Sequence, residues 1–181
     1  MEEQRAFTRK AEGLVREIRT EAGIFEVASS QISVPNNFEK FNAIWDTGAT
    51  NTAIASTVVN KLKLTRVTFA KVGTAGGEIN APVYLVNIIL PNNVIIPNIQ
   101  VTELKDLNNC DVLVGMDIIS QGDFAITHLD GKACFSFRMP PSRHVDFVPE
   151  SNEHNRRLTL NRLKTNQSKK NLPKRKFRKK R

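Results

Sequence analysis

Cysteines, long apolar runs and clustered metal ligands are scarce in this chain. Its 181 residues include two cysteines, Cys110 and Cys134. That is too few for a disulfide framework, and they lack metal-ligand spacing. Both are expected to stay as thiols in a reducing, cytoplasmic setting. The longest apolar stretches, near Leu85 to Leu90, fall far short of a membrane span, and "MEEQRAFTRKAEG" at the amino terminus has no apolar signal core. No membrane partner is therefore expected. The three histidines, His128, His144 and His154, have no i,i+4 spacing and no cysteine or carboxylate cluster beside them, so no metal site is expected. No Gly-x-Ser-x-Gly elbow, phosphate loop or solenoid-length repeat occurs.

Acidic residues are absent from Asn155 to Arg181, where 13 of the 27 Lys and Arg residues lie. The preceding part holds the other 14 basic residues and all 18 acidic ones, a net of −4. A mildly acidic body thus carries a strongly basic tail, and the pI of about 9.8 describes the tail. Past Val148 the composition is polar and then basic, which predicts disorder. Residues 141–181 are read as this tail.

What is abundant is Ile and Val in short runs separated by turn residues. Strands are predicted at Gly23–Ala28, Gln31–Pro35, Phe41–Asp46, Arg66–Val72, Pro82–Leu90, Val94–Val101 and Asp111–Gly115. "DFAITHLDGKACFSF" reads as a hairpin about Asp130-Gly131, stopped by Pro140 and Pro141. Short helices are predicted after Ser56, taken as a cap, and at "MDIISQ". Residues 1–18 are an extension in which Phe7, Ala11, Leu14, Val15 and Ile18 fit one helical face. The fold class is all-β, a small closed barrel-like architecture with one or two short helices.

One stretch raises a chemical question. In "IWDTGATNTAI", Asp46 directly follows Ile44 and Trp45, where an ionised carboxylate is costly. One reading is a strand-end carboxylate that caps its own loop through Thr47 and Gly48. The other is water activation. A carboxylate can take a proton from water and later protonate a leaving amine, given a second carboxyl beside it, because two such groups cannot both ionise. Gly48 lets backbone approach and frees an N–H for the carboxylate. No second Asp-Thr-Gly or Asp-Ser-Gly follows, so on this reading the partner is Asp46 of a second copy in an isologous homodimer.

Three elements occur in order: "IWDTGAT", a glycine-rich hairpin tip "GTAGGE", and "DVLVGMDIIS". Together they resemble the retropepsin family of dimeric aspartic proteases, in its cellular and bacterial-type members, over residues 19–140. The resemblance implies that Asp46 is the catalytic aspartate and Thr47 the hydroxyl that braces two active-site loops across the dimer. Gly48 and Ala49 complete the loop. Gly73, Gly76 and Gly77 resemble a flap tip. Val112, Leu113, Val114 and Gly115 match the strand and glycine beneath the loop. It also implies a polypeptide substrate and no metal or organic cofactor. Two departures stand out. Retroviral members commonly have an acid where this chain has Thr50, and an arginine where it has Met116, the two forming an ion pair. Both ends are missing together, so a replaced brace is expected rather than a broken one. Asp117 is read as a cap for the following helix.

The basic stretch "KKNLPKRKFRKKR" has a bland reading, a solvated tail, and a functional one, nonspecific contact with nucleic acid or an acidic partner. A retropepsin-like fold that is catalytically idle, with such a tail doing the binding, is the alternative to the enzyme.

Overall fold

In a computed structural model, residues 3–27, 38–74, 76–105, 107 and 109–170 are described. Contacts divide the chain into two units, Met1–Ser142 and Arg143–Arg181. The first unit is built from strands. Among the described residues these are β1 (Arg5–Ala11), β2 (Ile18–Glu26), β3 (Glu39–Trp45), β4 (Ala53–Ala55), β5 (Arg66–Thr74), β6 (Gly77–Ile89), β7 (Ile95–Leu104), β8 (Val112–Val114), β9 (Asp123–Leu129) and β10 (Lys132–Met139). Two short helices interrupt them, α1 (Ser56–Leu62) and α2 (Met116–Ile119).

Seven strands form one sheet in the order β2-β3-β8-β4-β7-β6-β5. A further β2–β6 pairing curls it back on itself. The form is barrel-like, with β5 left at an edge, and three strands stand in a second sheet ordered β1-β10-β9. β8 is an interior strand, between β3 and β4. It runs parallel to β3, Trp45 opposite Val114, and antiparallel to β4. β8 is at least half-buried at every position, so "DVLV" reads as an apolar run, whereas β3 alternates, with Phe41, Ala43 and Trp45 buried and Asn42 exposed. Ile24, Ile54, Val58, Ile88, Val101, Val112, Val114 and Ile118 are almost wholly removed from water. Burying each such side chain contributes about 1.5–3 kcal/mol.

An aromatic cluster joins the two sheets. Trp45 of β3 packs against Phe137 of β10 with ring centroids 4.9 Å apart, and against Phe7 of β1, Phe124 of β9 and Phe135 of β10. Its indole N–H donates to Thr20 Oγ1 at 2.9 Å, so the ring is fixed at both ends.

Three expectations are corrected. Phe7 and Ala11 lie on strand β1, paired along its length with β10, and not on a helix. Their spacing of four suits one face of either element, and β10 supplied the hydrogen bonds that decide it. β1 also makes the expected extension part of the folded body. Ser56 does not cap α1; Ala55 is the N-cap and no side chain bonds there. Past Val148 a helix replaces the expected disorder: α3 (Phe147–Lys170) forms the second unit. Its start has a local cause, since Asp146 Oδ1 accepts the Val148 N–H at 2.9 Å. Glu153 accepts from Arg156 and Arg157 one turn on, and these guanidiniums hold its carboxyl below the usual range. The predicted strand at Gln31–Pro35 lies outside the described residues, as does most of the basic stretch from Lys169. Among the described residues no helix is long and apolar enough to cross a membrane.

Candidate active site

Asp46 is the first residue after β3. Its N–H donates to the Val114 carbonyl at 2.9 Å, so the β3–β8 ladder extends by one rung and fixes where the carboxylate leaves the sheet. The chain then turns. Gly48 N–H donates to Asp46 Oδ1 at 2.8 Å and Ala49 N–H to the Asp46 carbonyl at 3.2 Å. The half-buried carboxylate is thereby held by its own loop. Thr47 is exposed, and its hydroxyl makes no hydrogen bond among the described residues.

Gly115 lies beneath the loop. A Cβ there would fall 2.6 Å from the Asn51 carbonyl carbon and 2.7 Å from its oxygen, so the backbone crossing admits only glycine. The first N–H groups of a helix have no partner within it, and in α2 the loop supplies two: Met116 N–H donates to the Ala49 carbonyl at 2.8 Å, Asp117 N–H to the Thr50 carbonyl at 3.1 Å. Val112 and Val114 are buried, with Leu113 partly so, between β3 and β4.

The sequence reading missed Thr52, and it misassigned Asp117. Gly115, not Asp117, is the N-cap of α2. The Asp117 carboxylate reaches back instead: Oδ2 accepts the Thr52 N–H at 2.8 Å and Oδ1 accepts the Thr52 hydroxyl at 2.7 Å. Thr52 Oγ1 in turn accepts the Gly115 N–H at 3.1 Å. Thr52 is 0% exposed, so the hydroxyl is committed to these two partners. This network ties the active-site loop to α2 in a chain that has Thr50 and Met116 at the ion-pair positions. Nothing local in "TNTAI" announces it, because the partner is 65 residues away.

Gly73, Gly76 and Gly77 sit at the tip of the β5–β6 hairpin, in which Thr74 pairs with Gly77. Gly77 has φ of 112°, a conformation that favours glycine. The hairpin presents Val67, Phe69 and Ile79 to solvent, with the Arg66 guanidinium over the Phe69 ring. A cavity of about 420 Å³ opens beside Asp46 and Thr47. Ile44, Trp45 and Leu113 form one wall, and β9 provides another with Phe124, Ile126 and His128. His128, read from sequence as a scattered surface histidine, thus faces the same space as Asp46. Burial pushes the Cys110 thiol, which also lines the cavity, above its ordinary range. Among the described residues no three His, Cys, Asp or Glu side chains are grouped as metal ligands.

A strand-borne Asp-Thr-Gly loop, underlain by a glycine crossing and anchored to a short helix within a β-rich fold, defines the retropepsin-like class of aspartic proteases. The chain belongs to the family described as "gag-polyprotein putative aspartyl protease", whose model matches residues 31–121, half of the chain. Solved structures similar to it include a retropepsin-like aspartic protease from Rickettsia conorii, 19% identical, covering 76% of this chain and 98% of that one with a TM-score of 0.46. The EIAV protease, solved with the inhibitor HBY-793, is 19% identical over 61% of this chain and 91% of that one, TM-score 0.45. The simian foamy virus (mac) protease is 18% identical over 57% and 92%, TM-score 0.38. No curated protein matches the chain in sequence.

Proposed function

We propose that the chain is a homodimeric aspartic endopeptidase that hydrolyses peptide bonds with a water activated by two copies of Asp46. The observation that carries this is a single Asp-Thr-Gly whose carboxylate, already oriented by the Gly48 N–H, has no second such motif in the sequence. An ionised Asp46 takes a proton from a water held between the carboxyls, and that water attacks the scissile carbonyl. The protonated Asp46 of the second copy donates a hydrogen bond to the carbonyl oxygen, and the amine is protonated as it leaves. Thr47, exposed and without a hydrogen bond from its hydroxyl among the described residues, is positioned to brace the second loop. The substrate is an extended polypeptide bound by backbone pairing. The β5–β6 hairpin is the flap that closes over it, and Gly73, Gly76 and Gly77 give the tip its conformational freedom. No metal or organic cofactor enters these steps. The free thiols Cys110 and Cys134 support a cytoplasmic setting.

The test is Asp46→Asn. Peptide-library cleavage should fall by at least about 10⁴-fold, as when a reacting group is removed, while sedimentation shows the dimer retained. An Asp46→Asn protein that still cuts overturns the assignment. A second reading, a catalytically idle module that binds nucleic acid or another polyanion through its tail, is favoured by the 13 basic residues from Asn155 onward without one acid.

A further inference from the structure

We propose that Arg16 is a specificity-determining residue: its guanidinium selects peptides that carry an acidic side chain near the scissile bond. The inference rests on the endopeptidase reading above and adds the chemistry of the peptide that the site accepts. Arg16 lies in the connector between β1 and β2, two residues ahead of Ile18, which opens β2. In the antiparallel β2–β3 register Ile18 pairs with Trp45. Carried outward by one and two residues, that register brings Glu17 level with Asp46 and Arg16 level with Thr47. All four residues line the cavity of about 420 Å³ beside the Asp-Thr-Gly loop.

Charge singles out Arg16. Most of the cavity wall is apolar, Ile44, Trp45, Leu113 and Phe124 among it, and Arg16 is the one Lys or Arg among the described residues that line it. The acid next to it in sequence is already committed. Glu17 Oε2 accepts from Arg19 Nε at 3.0 Å and from Arg19 Nη2 at 2.7 Å. Arg19 also donates to the Asn109 carbonyl at 3.0 Å, which ties this end of the connector to the segment bearing Leu107 and Cys110 on the cavity wall. Arg16 itself is exposed and makes no hydrogen bond or ion pair among the described residues.

A guanidinium presents five donors in a planar fork that matches a carboxylate. Here the fork stands at the mouth of a largely apolar cavity, where a bound peptide displaces water and a charge pair gains strength. The carboxylate it meets is one that the peptide brings. A second copy carries its own Arg16, so the twofold that pairs the two Asp46 residues sets one cation on each side of the scissile bond. The acid preference is therefore expected on both flanks.

The experiment uses the full chain. A peptide library is cleaved at about pH 6, where peptide carboxylates are ionised. Glu and Asp should be enriched on both sides of the cut, and replacing such a Glu by Gln should lower kcat/KM about tenfold, as for loss of a charge-assisted hydrogen bond. Arg16→Ala should level the Glu and Gln peptides. Arg16→Glu should reverse the order and favour Lys, which a merely structural role would not produce. His128→Gln should keep the Glu preference, although His128 lines the same cavity. Recognition is also read without turnover, by the anisotropy of a fluorescein-labelled apolar peptide flanked by Glu, and of its Gln twin, on the Asp46→Asn protein. Cleavage without acid preference, or with a preference that survives Arg16→Ala or is lost in His128→Gln, overturns the role of Arg16 and leaves the dyad standing. An Arg16→Ala chain that no longer dimerises in sedimentation velocity overturns it too, since Arg16 would then join the copies. If the wild-type chain cuts no peptide, tighter binding of the Glu peptide keeps Arg16 and removes the endopeptidase; equal binding removes both.

Discussion

Thr52 is a buried residue whose value lies in one oxygen. Its hydroxyl donates to Asp117 and accepts from Gly115, and with its N–H it ties the loop to three atoms of the one segment Gly115–Asp117. Thr52→Val keeps the shape and deletes the oxygen. It strands the Gly115 N–H and weakens the hold on Asp117, and each unsatisfied buried group costs about 1–3 kcal/mol. The expected loss is about 2–4 kcal/mol in urea unfolding, with cleavage reduced and Thr52→Ser close to wild type. A second residue-scale expectation concerns Tyr84, whose hydroxyl donates to Glu103 at 2.8 Å. Burial, then the hydrogen bond and charge of Glu103, push its pKa from 10.0 up to about 12. The unfolded chain gives up this proton first. The contribution is therefore complete below pH 10 and lost as pH rises towards 12. Tyr84 is the only tyrosine, so phenolate absorbance reports it alone. The midpoint should lie near 12 rather than 10, with stability falling across that window.

At the scale of elements, the crossing of Gly115 under the active-site loop is the tightest fit in the site. Gly115→Ala drives a methyl into the Asn51 backbone, which cannot rotate away as a side chain could. The expected cost is about 2–3 kcal/mol, and Asp46 should shift with its loop. Gly13→Ala, with nothing within 4 Å, should be neutral, and comparing the two denaturation midpoints checks both. Gly115 was legible because a glycine ending an apolar run before a helix is a local pattern. So was the β9–β10 turn, where Asp130 and Gly131 take φ of 50° and 74° as an Asp-Gly hairpin requires. Phe41 to Asp46 read as a strand for the same reason. Thr52 and Asp117 were not legible, since each looks like an ordinary loop or cap residue until the fold brings them together. β1 was misread because four residues of spacing fit a helix face as well as a strand face, and only β10 discriminates. α3 was hidden by composition: the contacts it shows are a cap at Asp146 and exposed i,i+3 and i,i+4 ion pairs, with no apolar stripe to announce it.

The whole molecule separates its charge. All 18 acids precede Asn155 and 13 cations follow it, so two opposed electrostatic characters lie on one chain. On the second reading proposed above, the tail neutralises phosphates and releases counterions, a sequence-independent attraction. With Phe177 as the sole aromatic beyond Asn155, base stacking adds little, and salt dependence should dominate. If six to ten phosphates are contacted, affinity for a single-stranded oligonucleotide should fall roughly 10³–10⁵-fold between 50 and 200 mM salt. Ending the chain at Val148 should abolish that binding in fluorescence anisotropy and leave Asp46-dependent cleavage in place, because Asp46 and every residue found to hold its loop belong to the Met1–Ser142 unit. A truncated chain that binds as tightly as the full one removes the tail from any role with polyanions. One that loses cleavage as well shows that the basic segment delivers or orders the catalytic unit, a coupling that charge separation alone does not require.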